Sequence, residues 1–354
     1  MATMSLPDMP LQNPYVLVDR ATQTYFLYAQ NNALLSGDSS PGTMVYQSKN
    51  LHDWSSPTKV YSVSSGGWAD ANGGAAAPEV HLFGGRYYLF TTLQNSSTVI
   101  AAAQQAPGTN NYNGNAIWQN QTARATVIAV ADSPLGPFID LNKSAPVTDP
   151  TFMTVDGTLH VDPDGTPWMV FAQEWLQKPD AVMAAVKLTS DLSAAAAVPT
   201  WLFKGSNAPW YYDPVYGAPP GQTLTNILQG PPYSTYGPQV YRTPNGSLVM
   251  LWSSYRQHYT EYVQTQALSM TGNIAGPWKQ LNPLVTGHVG HGMIFQALDG
   301  HLMLILHNNN DSSGTNTNEL FVVPAARAQL YDVAITDNGV QVLSHRSDLD
   351  GQPG

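Results

Sequence analysis

The amino-acid sequence predicts an all-β protein, a five-bladed β-propeller. Three observations carry this: a recurring strand–turn–strand phrase, a recurring exit from the following strand, and the near absence of helical periodicity. The first copy is Pro14-Tyr-Val-Leu-Val18 with Thr24-Tyr-Phe-Leu-Tyr28. The second is Pro78-Glu-Val-His-Leu-Phe83, Gly84-Gly85, then Arg86-Tyr-Tyr-Leu-Phe90. Asp156-Gly-Thr-Leu-His-Val161, Asp164-Gly165 and Pro167-Trp-Met-Val-Phe171 make the third. Pro238-Gln-Val-Tyr241, Asn245-Gly246 and Leu248-Val-Met-Leu-Trp252 make the fourth, and Gly292-Met-Ile-Phe295, Asp299-Gly300 and His301–Leu306 the fifth. Asp-Gly and Asn-Gly between such runs mark hairpins, because both residues tolerate positive φ.

The exit phrase recurs as Ser48–Trp54, Ser133–Phe138 and Thr271–Trp278, each with small polar, apolar and terminal aromatic positions. Asp162-Pro-Asp-Gly165 lacks the alternating carboxylates of a calcium loop and reads as a hairpin turn. The Ala-rich stretch 194–197 lies in a polar loop. Together these give one domain over residues 1–354, with blades near 13–62, 75–142, 147–205, 225–283 and 284–345. The strands 329–333 and 340–343 are expected to close the ring near the N-terminus.

Composition narrows the function. The chain is 43% hydrophobic, enough for a large core, and only 11% charged. With 14 Lys+Arg against 24 Asp+Glu the net charge is −10, and the cations are scattered, so nucleic acid is a poor partner. No apolar run reaches membrane-spanning length, and no cysteine is present, which removes thiolate chemistry and disulfides. No signal peptide is visible, yet low charge with abundant Asn, Gln, Ser, Thr and Tyr suits a secreted or periplasmic protein. Oligomeric state is not legible here. Nine Trp and 18 Tyr suit sugar faces as well as strand cores.

In a propeller the first strand of each blade lines the axis, and ligands bind where those strands converge. The candidates there are Asn13, Glu79, Asp156, Tyr236 and His291. Carboxylates are depleted in strands and expensive to bury unpaired, so Asp156 and Glu79 stand out as catalytic groups. Their structural alternatives are a blade-turn hydrogen bond for Asp156 and an inter-blade ion pair for Glu79. His291 suits an axial metal or water site, or a satisfied core histidine. Glu174, in Gln173-Glu-Trp175, ends a second strand, and Trp175, Trp68, Asp70 and Trp252 complete the candidate sugar-binding set. The exit loop 307–311 faces either solvent or the site.

These phrases resemble glycoside hydrolase family 43, and most nearly its branch with arabinofuranosidase, galactosidase and galactofuranosidase members. The resemblance rests on Asn13-Pro-Tyr-Val-Leu-Val-Asp19, Ala77-Pro-Glu-Val-His81, Asp156–Gly165, Gln173-Glu-Trp175, Tyr236–Arg242 with Met250–Ser254, and Gly290-His-Gly-Met-Ile-Phe295. They run in family order, one group per blade. The resemblance implies a five-bladed fold and hydrolysis with inversion, in which a base carboxylate activates water and an acid carboxylate about 6.5–9.5 Å away protonates the leaving oxygen. A third carboxylate orients the acid and raises its pKa. In the family the base opens blade one and the acid directly precedes Gly-Pro in blade four. The matching positions here hold Asn13 and Tyr236, and only the orienting aspartate, Asp156, is kept. Register could instead place Gln229-Gly230-Pro231 at the acid motif.

Two readings follow. In the first, an exo-acting glycosidase releases a terminal arabinofuranose, galactose-type or xylose sugar from an oligosaccharide or polysaccharide side chain through a rebuilt acid–base set. Asp156 would tune or supply the acid, Glu79, Glu174 or Asp70 a second carboxylate, and Asn13 and Tyr236 would hold hydroxyls or water. Insertions at 64–77, 104–121 and 206–235 would wall the axis into a pocket. In the second, the chain is a sugar-binding propeller that has lost the chemistry. No cofactor is required in either; the resemblance implies an optional axial Ca2+ or Na+ at His291. A phosphorylase would need a basic anion pocket, for which Arg86, Arg242 and Arg256 are the candidates.

Overall fold

Each repeated phrase folds as an antiparallel hairpin, and two further strands extend it outward. The computed structural model describes residues 3–101, 120–178, 180–211, 233–256, 261–308 and 326–351. Blade one holds β1 (Tyr15–Asp19), β2 (Thr24–Gln30), β3 (Gly42–Ser48) and β4 (Thr58–Ser62). Blade two holds β5 (Ala75–Phe83), β6 (Arg86–Ile100), β7 (Gln121–Ala131) and β8 (Ile139–Asp140). Blade three holds β9 (Thr154–Val161), β10 (Pro167–Gln173), β11 (Val182–Lys187) and β12 (Thr200–Lys204). Blade four holds β13 (Tyr236–Arg242), β14 (Leu248–Arg256), β15 (Glu261–Ser269) and β16 (Lys279–Gln280). Blade five holds β17 (Val289–Gln296), β18 (Leu302–Asn308), β19 (Arg327–Thr336) and β20 (Gly339–His345). Strands pair in sequence order within each blade, and one parallel contact, Ala125 to Thr154, merges blades two and three into an eight-stranded sheet.

The strands read as near-continuous apolar runs because both faces of a blade are covered. On β7, Val127, Ala129 and Ala131 pack toward blade one with Phe26, Tyr28 and Val45. The alternate residue Ile128 packs toward blade three with Phe171 and Val182. The exit-phrase aromatics fold back on their own loops: Trp54 Nε1 donates to Leu51 O and Trp278 Nε1 to Ile274 O.

Instead of forming a separate closing element, β19 and β20 are the outer half of blade five. The seam between the last and first blades carries no shared ladder among the described residues; loop and side-chain hydrogen bonds hold it. Leu11 N–H donates to Ala326 O, Arg327 Nε to Pro7 O, and Arg20 to the carbonyls of Gln296 and Ala297.

The inner strands share one further feature. Asn13, Ala77, Asp156, Gly237 and His291 all have left-handed φ, between 46° and 55°. Four of these residues lie in β-bulges against the second strand of their blade, and Asn13 directly precedes the ladder of blade one. Each is followed by Pro or Gly: Pro14, Pro78, Gly157, Pro238 and Gly292. A bulge leaves backbone N–H groups without ladder partners. Proline removes one of them; where glycine follows, the preceding blade supplies side-chain acceptors. Thr92 Oγ1 accepts from Asp156 N–H and Thr126 Oγ1 from Gly157 N–H, while Thr126 donates onward to Thr154 O. Ser253 Oγ and Gln264 Oε1 do the same for His291 and Gly292. A Cβ at Gly157 would fall 2.6 Å from Thr126 Cγ2, so this close approach requires glycine.

Thr126→Val keeps the shape and strips the acceptor from Gly157 N–H. The expected cost is about 1–3 kcal/mol, read as a lower midpoint in urea unfolding. An unchanged midpoint contradicts this account of the bulge.

Candidate active site

Asp156 sits at the blade-three bulge, 2% exposed, with its side chain turned across the interface to blade four. Its Oδ2 accepts the Gly237 N–H at 3.0 Å, which is the unpaired amide of the blade-four bulge. Oδ1 receives no hydrogen bond from the described residues. Burial pushes the Asp156 carboxyl up to about 6, against the opposing pull of the Gly237 N–H. Gly237 is required by close approach, since a Cβ would lie 2.9 Å from the His291 ring; the left-handed φ of 52° is one that Asn13, Ala77, Asp156 and His291 also adopt.

A second buried carboxylate stands near it. Glu174 follows β10 and is 3% exposed. Its Oε1 accepts from Arg124 Nη1 at 2.9 Å, and its Oε2 is buried with no partner among the described residues. Burial raises its pKa; the Arg124 charge opposes the rise and the Asp156 charge adds to it. Beside this pair lies an aromatic group in which Trp175 Nε1 donates to the Tyr236 hydroxyl at 2.6 Å. Tyr255 and Tyr262 pack edge-on or tilted against Tyr236, and Trp68 lies against the same cluster.

Glu79 is positioned differently. Gln239 Nε2, from blade four, donates to its Oε1, and His81 Nε2 lies 3.1 Å from its Oε2. The other nitrogen of His81 meets the Tyr15 hydroxyl at 3.1 Å. Both oxygens of Glu79 are therefore taken up by a chain of contacts from blade one to blade four. In register with Asp156, blade two presents Ala77, not Glu79, and blade four presents Gly237, with Tyr236 one residue earlier.

His291 and His307 complete the axial group, ring centroids 6.2 Å apart. Burial lowers His291 to about 4, with Glu79 opposing, and lowers His307 to about 3, with His291 adding to the effect. Asn13 N–H donates to His307 Nδ1, so that nitrogen carries no proton. His291 Nδ1 is 3.9 Å from Asp156 Oδ2. No three His, Asp or Glu side chains converge to hold a metal among the described residues. Calcium takes roughly six to eight oxygens, so this donor set does not fit direct coordination and no step is assigned to an ion.

Two expected site residues, Trp252 and Asp70, and the three phosphorylase candidates are held by other contacts. Trp252 is fully buried in the core between blades three and four, against Phe203 and Trp210, because its strand position faces the neighbouring blade. Asp70 is tied to the end of β6, where its Oδ2 accepts the Ser96 N–H. The phosphorylase candidates are dispersed: Arg86 pairs with Asp132, Arg256 with Glu261, and Arg242 bonds Gly246 O. Residues 102–119, 212–232 and 309–325, which include most of two expected insertions, the Gln229 motif and the end of the 307–311 loop, lie outside the described residues. His307 itself is buried at the axis. Sequence reading missed Arg124, Thr92 and Thr126; the Pro-or-Gly residue after each bulge would have fixed the register that points to the threonines.

The described residues thus form a five-bladed propeller with buried carboxylates and aromatic rings gathered near the starts of its inner strands. The chain belongs to glycosyl hydrolases family 43, whose model matches residues 7–324. It is similar to the endo-arabinase from Bacteroides thetaiotaomicron VPI-5482, at 31% identity over 95% of this chain and 99% of that one, TM-score 0.74. An endo-1,4-beta-xylanase from the same organism shares the fold, at 21% identity over 97% of both chains, TM-score 0.66. So does a putative exo-beta-1,3-galactanase from Bifidobacterium bifidum s17, at 14% identity over 95% of this chain and 92% of that one, TM-score 0.58. No match was found among curated proteins. Family membership makes glycoside hydrolysis the activity class.

The Asp156 carboxyl titrates near 6 in the folded chain and near about 3.9 unfolded. The folded state then binds this proton more tightly, so the group favours folding at low pH and that contribution is lost as pH rises through about 6. Asp156→Asn keeps an acceptor for Gly237 N–H and does not titrate. The thermal midpoint of wild type minus that of the variant should fall between pH 4 and 7; a flat difference contradicts the raised pKa.

Proposed function

We propose that this chain is an exo-acting glycoside hydrolase that releases a terminal arabinofuranose, galactose-type or xylose sugar, with Asp156 and Glu174 as its ionisable pair. The observation that carries the reading is Asp156 itself: a buried carboxyl pushed up to about 6, anchored by one oxygen, with the other free of donors among the described residues. Asn13 and Tyr236 place an amide and a phenol where the family resemblance implies carboxylates. Neither is a good proton carrier near neutral pH. Glu79 has both oxygens engaged. In this reading protonated Asp156 gives its proton to the leaving oxygen, and ionised Glu174 takes one from the attacking water. Tyr236, Trp175 and Trp68 offer apolar faces to the sugar. The 31% identical neighbour is named an endo-arabinase, which makes arabinose-bearing glycans the first substrates to try.

A second reading, a sugar-binding propeller without turnover, is favoured by the same absence of carboxylates at Asn13 and Tyr236. Wild type, Asp156→Asn, Glu174→Gln and Glu79→Gln, assayed on aryl α-L-arabinofuranoside, β-D-xyloside, β-D-galactoside, β-D-galactofuranoside and linear arabinan with product NMR, separate the two. The expected outcome is a monosaccharide of inverted configuration. Asp156→Asn and Glu174→Gln should each lower kcat by at least ~10²-fold, while Glu79→Gln lowers the thermal midpoint and leaves kcat near wild type. Oligosaccharide products from arabinan would replace exo by endo action. Sugar binding without turnover would establish the second reading.

A further inference from the structure

Two side chains of β7, Thr126 and Arg124, reach blade three, as Ile128 does in the core between the two blades. Thr126 holds Gly157 N–H and Thr154 O, and so fixes the backbone on which Asp156 stands. Two residues away on the same face, Arg124 reaches Glu174. One strand of blade two thus holds both carboxylates of blade three, the first through its backbone and the second through its side chain.

The Arg124–Glu174 contact is also incomplete. A guanidinium and a carboxylate commonly pair through two parallel hydrogen bonds. Here a single bond joins Nη1 to Oε1, leaving Arg124 Nε and Glu174 Oε2 buried and without partners among the described residues. Buried polar atoms are nearly always satisfied, and each exception calls for a reason. An end-on grip leaves one carboxylate oxygen, itself buried, without a donor among the described residues, as an oxygen that is to take a proton from a ligand or water must be; a two-bond pair would not.

We propose that Arg124 is a positioning residue of the hydrolytic site: it grips Glu174 through Oε1 and leaves Oε2 as the oxygen that meets the attacking water. The proposal rests on the hydrolase reading above. Arg124 from β7 and Asp156 from β9 are the charged groups that act on Glu174, with opposite effects on its ionisation. Removing Arg124 leaves burial and the Asp156 charge unopposed, so Glu174 then holds its proton to higher pH and is a poorer base.

The test combines a direct titration with kinetics. Glu174 is followed by 13C NMR of carboxyl-labelled glutamate, assigned by its loss in Glu174→Gln, in wild type, Arg124→Met and Arg124→Lys. In parallel, kcat/KM is measured against pH. The expected result is an upward move of the Glu174 midpoint by about one unit or more in Arg124→Met. The acidic limb of kcat/KM should move by the same amount with KM little changed, and Arg124→Lys should restore most of both. A Glu174 midpoint that stays put in Arg124→Met overturns the proposal, as does an active variant whose acidic limb fails to follow the midpoint. Should wild type turn over no glycoside, the hydrolase reading fails and the water-facing role of Oε2 fails with it; the titration then still decides whether Arg124 governs Glu174. If Arg124→Met does not fold, Arg124→Gln, which keeps a hydrogen-bond donor and loses the charge, serves the same comparison.

Discussion

The hydrogen bond from Gly237 N–H to Asp156 Oδ2 is the contact on which the rest of the site depends. It satisfies the unpaired amide of one bulge with the side chain of another, and so ties blades three and four at the axis. It also fixes which Asp156 oxygen is free. Around the ring the same problem, an inner-strand amide with no ladder partner, is solved by different side chains: Thr92 and Thr126, Ser253 and Gln264, and His307. Only at blade four does a carboxylate take the task. The placement of a charge near the axis is therefore part of how the blades are joined.

That arrangement separates the carboxylates by role. Glu79 lies two residues beyond its bulge and is consumed by Gln239 and His81, a cross-axis strut that ties blades one, two and four. Asp156 and Glu174 keep one oxygen each out of protein hydrogen bonds, and burial makes both harder to ionise. Groups with that combination of burial, charge coupling and spare valence are the ones able to exchange protons near neutral pH. His291 and His307, by contrast, are held neutral by burial, and His307 Nδ1 accepts the Asn13 N–H.

Much of the fold was legible from the sequence. The hairpin signals at Gly84-Gly85, Asp164-Gly165, Asn245-Gly246 and Asp299-Gly300 all mark turns between first and second strands, and the Asp162 segment is the turn it was read as. The site was legible in part. In the sequence Asp156 and Glu79 stand out, because a carboxylate in an inner strand of a low-charge chain is unusual, and Glu174 is only a further candidate. That Gln239 and His81 engage Glu79 depends on blade four meeting blade two, which no local pattern shows. Trp252 misled because a tryptophan in a strand looks the same whether its ring faces the axis or the neighbouring blade; only the packing with Phe203 and Trp210 decides. Arg124 was not legible at all. Its importance comes from which face of β7 meets blade three, and that depends on blade order and twist, not on any local motif.

The central claim is that Asp156 is a buried carboxyl held at an intermediate proton affinity by its bond to Gly237. The most direct measurement is a 13C titration of carboxyl-labelled aspartate, with Asp156 assigned by its loss in Asp156→Asn, followed together with the 15N–1H signal of Gly237. The account predicts an Asp156 midpoint near 6 and a Gly237 amide shift that tracks the same midpoint. An Asp156 midpoint at the ordinary carboxylate value of about 3.9, or a Gly237 amide indifferent to it, would contradict the account.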